Sequence, residues 1–246
     1  MTKKILGQFN RVVIVSGANR GIGLAVVEKF VSEGWWVCAC TRSNSDCLNS
    51  LLDGRGKIYS LDLADEKSVS NCAKEIIRSV DRVDALINCA GIAYGALFSM
   101  TRIADLKDVF QVNFFSQVLF TQLIVKKMMR KRSGSIINIS STSGILADSG
   151  TLAYGCSKSA FSHATRIMAT ELGSFNIRVN AIAPARADTD MGRLMDKDSA
   201  DLLNSRSSIA GEIGADDVAN LTYYLCSDSN RYLSGQVIRL DRGMPF

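Results

Sequence analysis

The sequence predicts an α/β protein: one doubly wound domain over residues 1–246, with a parallel sheet and helices on both faces. Three observations carry this. Apolar strand-like runs alternate with helical patterns from end to end, and such alternation builds parallel sheets through right-handed crossovers. The first run, Arg11 to Ser16, is a continuous β-branched stretch, as in a strand covered on both faces. A glycine-rich turn, Ser16 to Gly23, follows it at once and opens a helix.

That first helix is expected from Ile22 to Glu33, with Gly34 as its stop. Trp35 to Thr41 reads as the second strand and Lys57 to Leu61 as the third. A polar-capped helix runs from Asp65 to Ser79, and Arg82 to Asn88 is the fourth strand. A long helix spans Ala104 to Arg130, before a fifth strand from Ser135 to Ser140. The helix bearing Tyr154 runs to Gly173. Asn176 to Ala183, Asp216 to Ser227 and Gly235 to Leu240 read as strand, helix and strand. The least regular segment, Thr189 to Gly214, follows a strand's carboxyl end. Ligands of open α/β sheets bind there, and an irregular loop of that length reads as a functional lid.

Composition narrows the function. Hydrophobic residues at 47% and charged residues at 22% are ordinary for a soluble globule. A net charge of +5 is too mild to argue for nucleic acid. The densest basic run, Lys126 to Arg132, closes a helix, where cations complement the helix dipole. Seven cysteines without framework spacing, and one histidine, His163, argue for reduced thiols and against a metal site. No leader segment is expected from the polar residues Met1 to Asn10, and no apolar run has membrane-spanning length. A cytoplasmic protein is the expectation.

Two motifs carry chemistry. Gly17, Gly21 and Gly23, in a turn that also holds Asn19, Arg20 and Ile22, follow the first strand directly. Glycine there permits a sharp turn and lets a pyrophosphate approach amide donors at a helix start. Tyr154 and Lys158 stand four residues apart, with Ser141 thirteen residues before Tyr154. Positions i and i+4 share a helix face, so an ammonium can stand beside a phenol that is otherwise only about 0.1% ionised at neutral pH. That pairing suits proton transfer to and from an oxygen.

Together these motifs resemble the short-chain dehydrogenase/reductase family over nearly the whole chain. The resemblance implies a single Rossmann-type domain and carbonyl–alcohol redox chemistry. It maps a catalytic tetrad onto Asn113, Ser141, Tyr154 and Lys158. Tyr154 would donate the proton, Ser141 would bind the carbonyl oxygen, Lys158 would hold the ribose, and Asn113 would hold a water in the relay. Asn88, Ala90 and Gly91 stand for the family's Asn-Asn-Ala-Gly motif; Asp62 and Leu63 for its adenine-edge contact. Pro184 and Thr189 belong to its nicotinamide loop, although Ala185 replaces a glycine there and Arg186 an apolar residue. Arg186 either brings a charge to the substrate mouth or points to solvent.

Cofactor preference follows from the second strand's end, Cys40-Thr41-Arg42, which has no acid to accept a ribose hydroxyl. With Arg20 it supplies two guanidinium groups suited to a phosphate, favouring NADP(H). Chain length and the C-terminal ending most resemble bacterial 3-oxoacyl-[acyl-carrier-protein] reductases. Reduction of a 3-oxoacyl thioester is therefore expected, on acyl carrier protein or CoA, with Arg132 beside the pocket mouth as a docking cation. Phe175 stands where a second basic residue is usual. Reduction of a sugar, polyol or small ketone is the alternative, and a catalytically silent dinucleotide-binding regulator a remoter one. A homotetramer is expected through Phe114, Phe115, Val118 and Leu119 on the long helix and Phe161, Ala164, Ile167 and Met168 on the Tyr154 helix.

Overall fold

The computed structural model describes residues 9–189, 192 and 204–245. Among them, seven parallel strands form one sheet in the order β3-β2-β1-β4-β5-β6-β7. They are β1 (Val12–Ser16), β2 (Trp36–Thr41), β3 (Gly56–Ser60), β4 (Ala85–Asn88), β5 (Gly134–Ile139), β6 (Ile177–Pro184) and β7 (Val237–Leu240). Every residue of β1, β2 and β4 is buried, which is why these runs read as unbroken apolar stretches rather than alternating ones. The chain moves outward from β1 to β3, then returns to pair β4 with β1. That reversal opens a crevice at the carboxyl ends of β1 and β4.

Helices α1 (Gly21–Ser32), α2 (Asp46–Leu52) and α7 (Ala215–Cys226) cover one face, packing Val26, Phe30, Leu48, Val218 and Leu225. On the other face lie α3 (Glu66–Ser79), α5 (Ser116–Lys131) and α6 (Leu152–Leu172), with Val69, Ile76, Phe120, Ile124 and Met128 at the core.

The structure departs from expectation in three places. Helix α2 was not foreseen: it is short, capped by Ser45 accepting from the Leu48 amide, and buries only Leu48 and Leu52. Two buried residues in seven give too weak a period to read. The long helix is two, α4 (Ile103–Phe110) and α5, joined by a π turn over Gln111–Phe115. Arg132 does not stand at the pocket mouth. It caps α5 in the left-handed conformation just before β5 begins, whereas Ser141 follows the other end of that strand. Six residues of strand put roughly 20 Å between those ends. The Arg132 guanidinium instead donates to the Ser174 carbonyl at 2.6 Å and lies over the Phe175 ring.

Of the apolar residues expected at an interface, Phe161 is core, Phe115 and Ile167 are about half exposed, and the rest are partly buried. His163 is exposed on α6. Half of the segment Thr189 to Gly214 lies outside the described residues.

Candidate active site

The crevice is a cleft of about 1350 Å³. One wall is the glycine turn. Gly17 and Gly21 adopt positive φ. A Cβ on Gly17 would meet the Ala90 Cα at 2.8 Å, and one on Gly23 would lie 2.0 Å from the Gly17 carbonyl oxygen. Only glycine lets β1, the β4 loop and α1 approach so closely. Ser16 locks the approach: its buried Oγ accepts from the amides of Cys89 (3.0 Å) and Ala90 (3.2 Å). No side chain caps the start of α1, so its first amides remain available to an anion.

The end of β2 forms the next stretch of wall. Thr41 Oγ1 donates to the Ser43 carbonyl, and Asn19 donates to the Ser43 hydroxyl. The Asn19 Oδ1 is buried without a partner. Arg42 is exposed; Arg20, Arg42, Asp62 and Leu63 all line the cleft. A dinucleotide fits this cradle: space kept free of Cβ atoms, uncapped amides, an orphaned acceptor and two guanidinium groups.

The opposite wall carries the acid–base group. Ser141 follows β5 and Tyr154 lies in the first turn of α6, and both line the cleft, with the Ser141 hydroxyl near enough to act on the phenol. Ser140 fixes the two elements together, its hydroxyl donating to the Lys158 carbonyl at 3.1 Å and sharing a 2.6 Å bond with Ser162. Burial pushes the Tyr154 phenol above its ordinary value, and the neighbouring Ser141 hydroxyl offsets part of that rise. The expected lowering by Lys158 is not found. The Lys158 ammonium lies 5.8 Å from the Tyr154 ring and donates to the Ile139 carbonyl at 2.8 Å. Burial pulls Lys158 down to about 8, so its charge beside the phenol is itself incomplete.

Asn113 sits in the π turn, fully buried. Its Oδ1 accepts from the Ile92 amide at 2.9 Å, while its Nδ2 donates to the Ile92 carbonyl at 2.9 Å and Ser157 Oγ at 3.1 Å. Both amide hydrogens are spent on protein. The side chain therefore ties the β4 loop to α6 rather than offering a hydrogen to water. Asn88 likewise lies off the cleft, bonded to Thr121 and Asn138 in a buried network. Fifteen of the seventeen residues expected at the cofactor line the cleft: Gly17, Asn19, Arg20, Gly21, Ile22, Gly23, Thr41, Arg42, Asp62, Leu63, Ala90, Gly91, Tyr154, Pro184 and Thr189; Asn88 and Lys158 do not.

Sequence reading missed Ser16 as a fastener, and it missed Asp148 and Arg206, which line the cleft. No motif marks these last two; Arg206 lies in the irregular segment. Arg186 meets neither expectation fully. It lines the cleft, but its Nε donates to the Gly192 carbonyl and its Nη1 reaches Glu212 at 3.4 Å. Among the described residues no cluster of histidine, cysteine and acids could hold a metal, and no helix is long and apolar enough to cross a membrane.

A dinucleotide cradle facing a serine–tyrosine–lysine group defines an oxidoreductase of CH–OH and C=O groups that uses a nicotinamide dinucleotide. The chain belongs to the short-chain dehydrogenase/reductase family: the family model described as enoyl-(acyl carrier protein) reductase matches residues 17–245. It is 33% identical over 239 residues to the 3-oxoacyl-[acyl-carrier-protein] reductase FabG of Thermotoga maritima, covering 95% of this chain and 97% of that protein. Identity to the Escherichia coli protein of the same name is 28% over 242 residues, with the same coverage. A solved short-chain dehydrogenase/reductase family protein superposes with a TM-score of 0.85 at 24% identity, covering 96% of this chain and 97% of that one.

Proposed function

We propose that the protein is an NADPH-dependent reductase of a 3-oxoacyl thioester, with Ser141, Tyr154 and Lys158 as its catalytic residues. The observation that carries the catalytic reading is that Ser141 and Tyr154 share the cleft wall, with the buried Lys158 ammonium 5.8 Å from the Tyr154 ring. When bound, the nicotinamide cofactor supplies the hydride. A phenol raised by burial holds its proton at neutral pH and has it to give to the developing alkoxide. Ser141 Oγ accepts from the Ser143 amide at 3.2 Å, which leaves its own O–H for that oxygen. A preorganised donor of this kind contributes about 3–4 kcal/mol at the transition state. Lys158 holds the ribose hydroxyls, and Asn113 positions α6 for both. NADPH is supported by Arg20 and Arg42 at a strand end without an acid.

The thioester rests on similarity to the two FabG proteins. Docking of acyl carrier protein draws no support from Arg132, which lies at the other end of β5. A sugar or small ketone remains the second reading, favoured by the charged side chains Arg186, Arg206 and Asp148 in the cleft wall. The test is a panel of acetoacetyl thioesters, sugars and small ketones assayed with NADPH and NADH. Faster thioester reduction with NADPH is expected. Tyr154→Phe should lower turnover by about 10²-fold or more while keeping nucleotide affinity. Near-wild-type turnover in that variant would remove Tyr154 from the acid role, and reduction of sugars alone would overturn the substrate.

We also propose a homotetramer, supported by the exposed Phe115 and Ile167 on adjoining elements of one face. Light scattering should give four times the chain mass at micromolar concentration; a monodisperse monomer would refute it.

A further inference from the structure

Outside the serine–tyrosine–lysine group, the cleft wall contains an ion pair between Asp148 and Arg206. Asp148 lies between Ser141 and Tyr154 in the chain, and its main-chain carbonyl is fixed by the Thr151 hydroxyl at 2.7 Å. Arg206 comes from the segment beyond β6, and its Nη1 donates to Asp148 Oδ1 at 3.1 Å. Both side chains line the cleft and are about 30% exposed. The pair thus joins two separate loops across the substrate-facing end of the site.

Arg206 is held there from behind. Arg242 Nη2 donates to the Asn204 side chain at 2.8 Å, and the Arg242 carbonyl accepts from the amides of Ser208 and Ile209. A guanidinium carries five N–H donors. Among the described residues Arg206 spends one of them, on Asp148. Arg186, the other guanidinium on this stretch of wall, is already engaged by Gly192 and Glu212. The Arg206 fork therefore has donors left on this part of the wall, whereas Arg186 is turned to Gly192 and Glu212.

We infer that Arg206 is a specificity-determining anion receptor, binding a negatively charged oxygen group carried by the carbonyl substrate; this rests on the reductase reading above. A guanidinium fork takes carboxylate or phosphate oxygens in pairs. The anion is either a carboxylate beside the ketone or the phosphate of a pantetheine arm. A bare alkyl chain would cover the Asp148–Arg206 pair without replacing its contacts with water, which is unfavourable.

Three substrates separate these sources: acetoacetate, acetoacetyl-phosphopantetheine, and the neutral acetoacetyl-N-acetylcysteamine. In Arg206→Met, the kcat/KM ratio of an anionic substrate over the neutral one should fall at least tenfold, mostly through KM. The substrate whose ratio falls identifies the anion. Asp148→Asn keeps an acceptor for Arg206 but removes the competing charge, so the same ratio should rise. Calorimetric binding of acetoacetate and acetoacetyl-phosphopantetheine to the NADP-loaded protein should weaken in Arg206→Met by a matching factor. Equal ratios in wild type and Arg206→Met overturn the inference even with active enzyme. If wild type reduces none of the three, the 3-oxoacyl substrate reading fails instead. The binding measurement then decides alone, and unchanged affinity in Arg206→Met overturns the receptor.

Discussion

The two ends of the cleft are held by different means. At the cofactor end, backbone packs directly on backbone: Gly17 against Ala90, Gly23 against the Gly17 carbonyl, Ser16 across both strand ends. At the substrate end, long side chains reach across loops: Arg186 to Gly192 and Glu212, Arg206 to Asp148, and Arg242 to Asn204, Ile209 and Gly211. Backbone contact tolerates no added atom, so it fixes one ligand shape. Guanidinium ties are few, partly exposed and replaceable, so they adapt to different substrates without disturbing the sheet.

Gly23→Ala should break the first end. A Cβ placed 2.0 Å from the Gly17 oxygen forces the turn open, displacing the amides that would face a pyrophosphate. Nucleotide affinity, measured by fluorescence titration, should fall at least 100-fold, about 2.7 kcal/mol. Circular dichroism reports whether the sheet persists. Unchanged affinity in a folded variant would mean that the turn does not set the cofactor site.

The same contrast explains what the sequence revealed. Glycines at fixed spacing after an apolar strand announce a close backbone approach, because no other residue permits it. Most residues expected at the cofactor therefore line the cleft; Asn88, whose motif position points into a buried network, and Lys158 do not. Tyr154 and Lys158 were legible because a helix fixes i to i+4, and Ser141 because it follows the apolar run of β5. The substrate end was not. Arg206 meets Asp148 across 58 positions, and no local period encodes such a pairing. Arg132 was misplaced for a related reason: sequence gives a basic run at a helix end, but not which end of the sheet that helix reaches. The π turn escaped notice since its residues carry the same apolar pattern as the helices on either side.

Arg242→Leu tests the second end. The Arg242 guanidinium donates to the Asn204 side chain and to the Ile209 and Gly211 carbonyls. Hydrogen bonds from a charged donor contribute about 1.5–3 kcal/mol when they are well formed. These are exposed, so the loss should be near the lower limit. The KM for the carbonyl substrate should rise about tenfold, while nucleotide affinity stays within a factor of two. Equal losses in both constants would show that the two ends are mechanically one.

Lys158 stands where the ends meet, its ammonium on the Ile139 carbonyl, 3.5 Å from where a Cβ on Gly91 would lie. Burial lowers it from an ordinary 10.5 to about 8. Below pH 8 the lysine is charged in both folded and unfolded chains, and the folded protein bears the cost of a buried cation. Between about pH 8 and 10.5 the unfolded chain keeps a proton that the folded chain has shed. Stability from this group therefore rises with pH through that window. From pH 8 to 9 the gain is about 1 kcal/mol. Lys158→Met carries no such proton, so denaturant titrations of the nucleotide-free protein should show wild type gaining on the variant by that amount. If the two curves run parallel, the ammonium is better solvated than its burial implies, and the junction between the two ends is open to water.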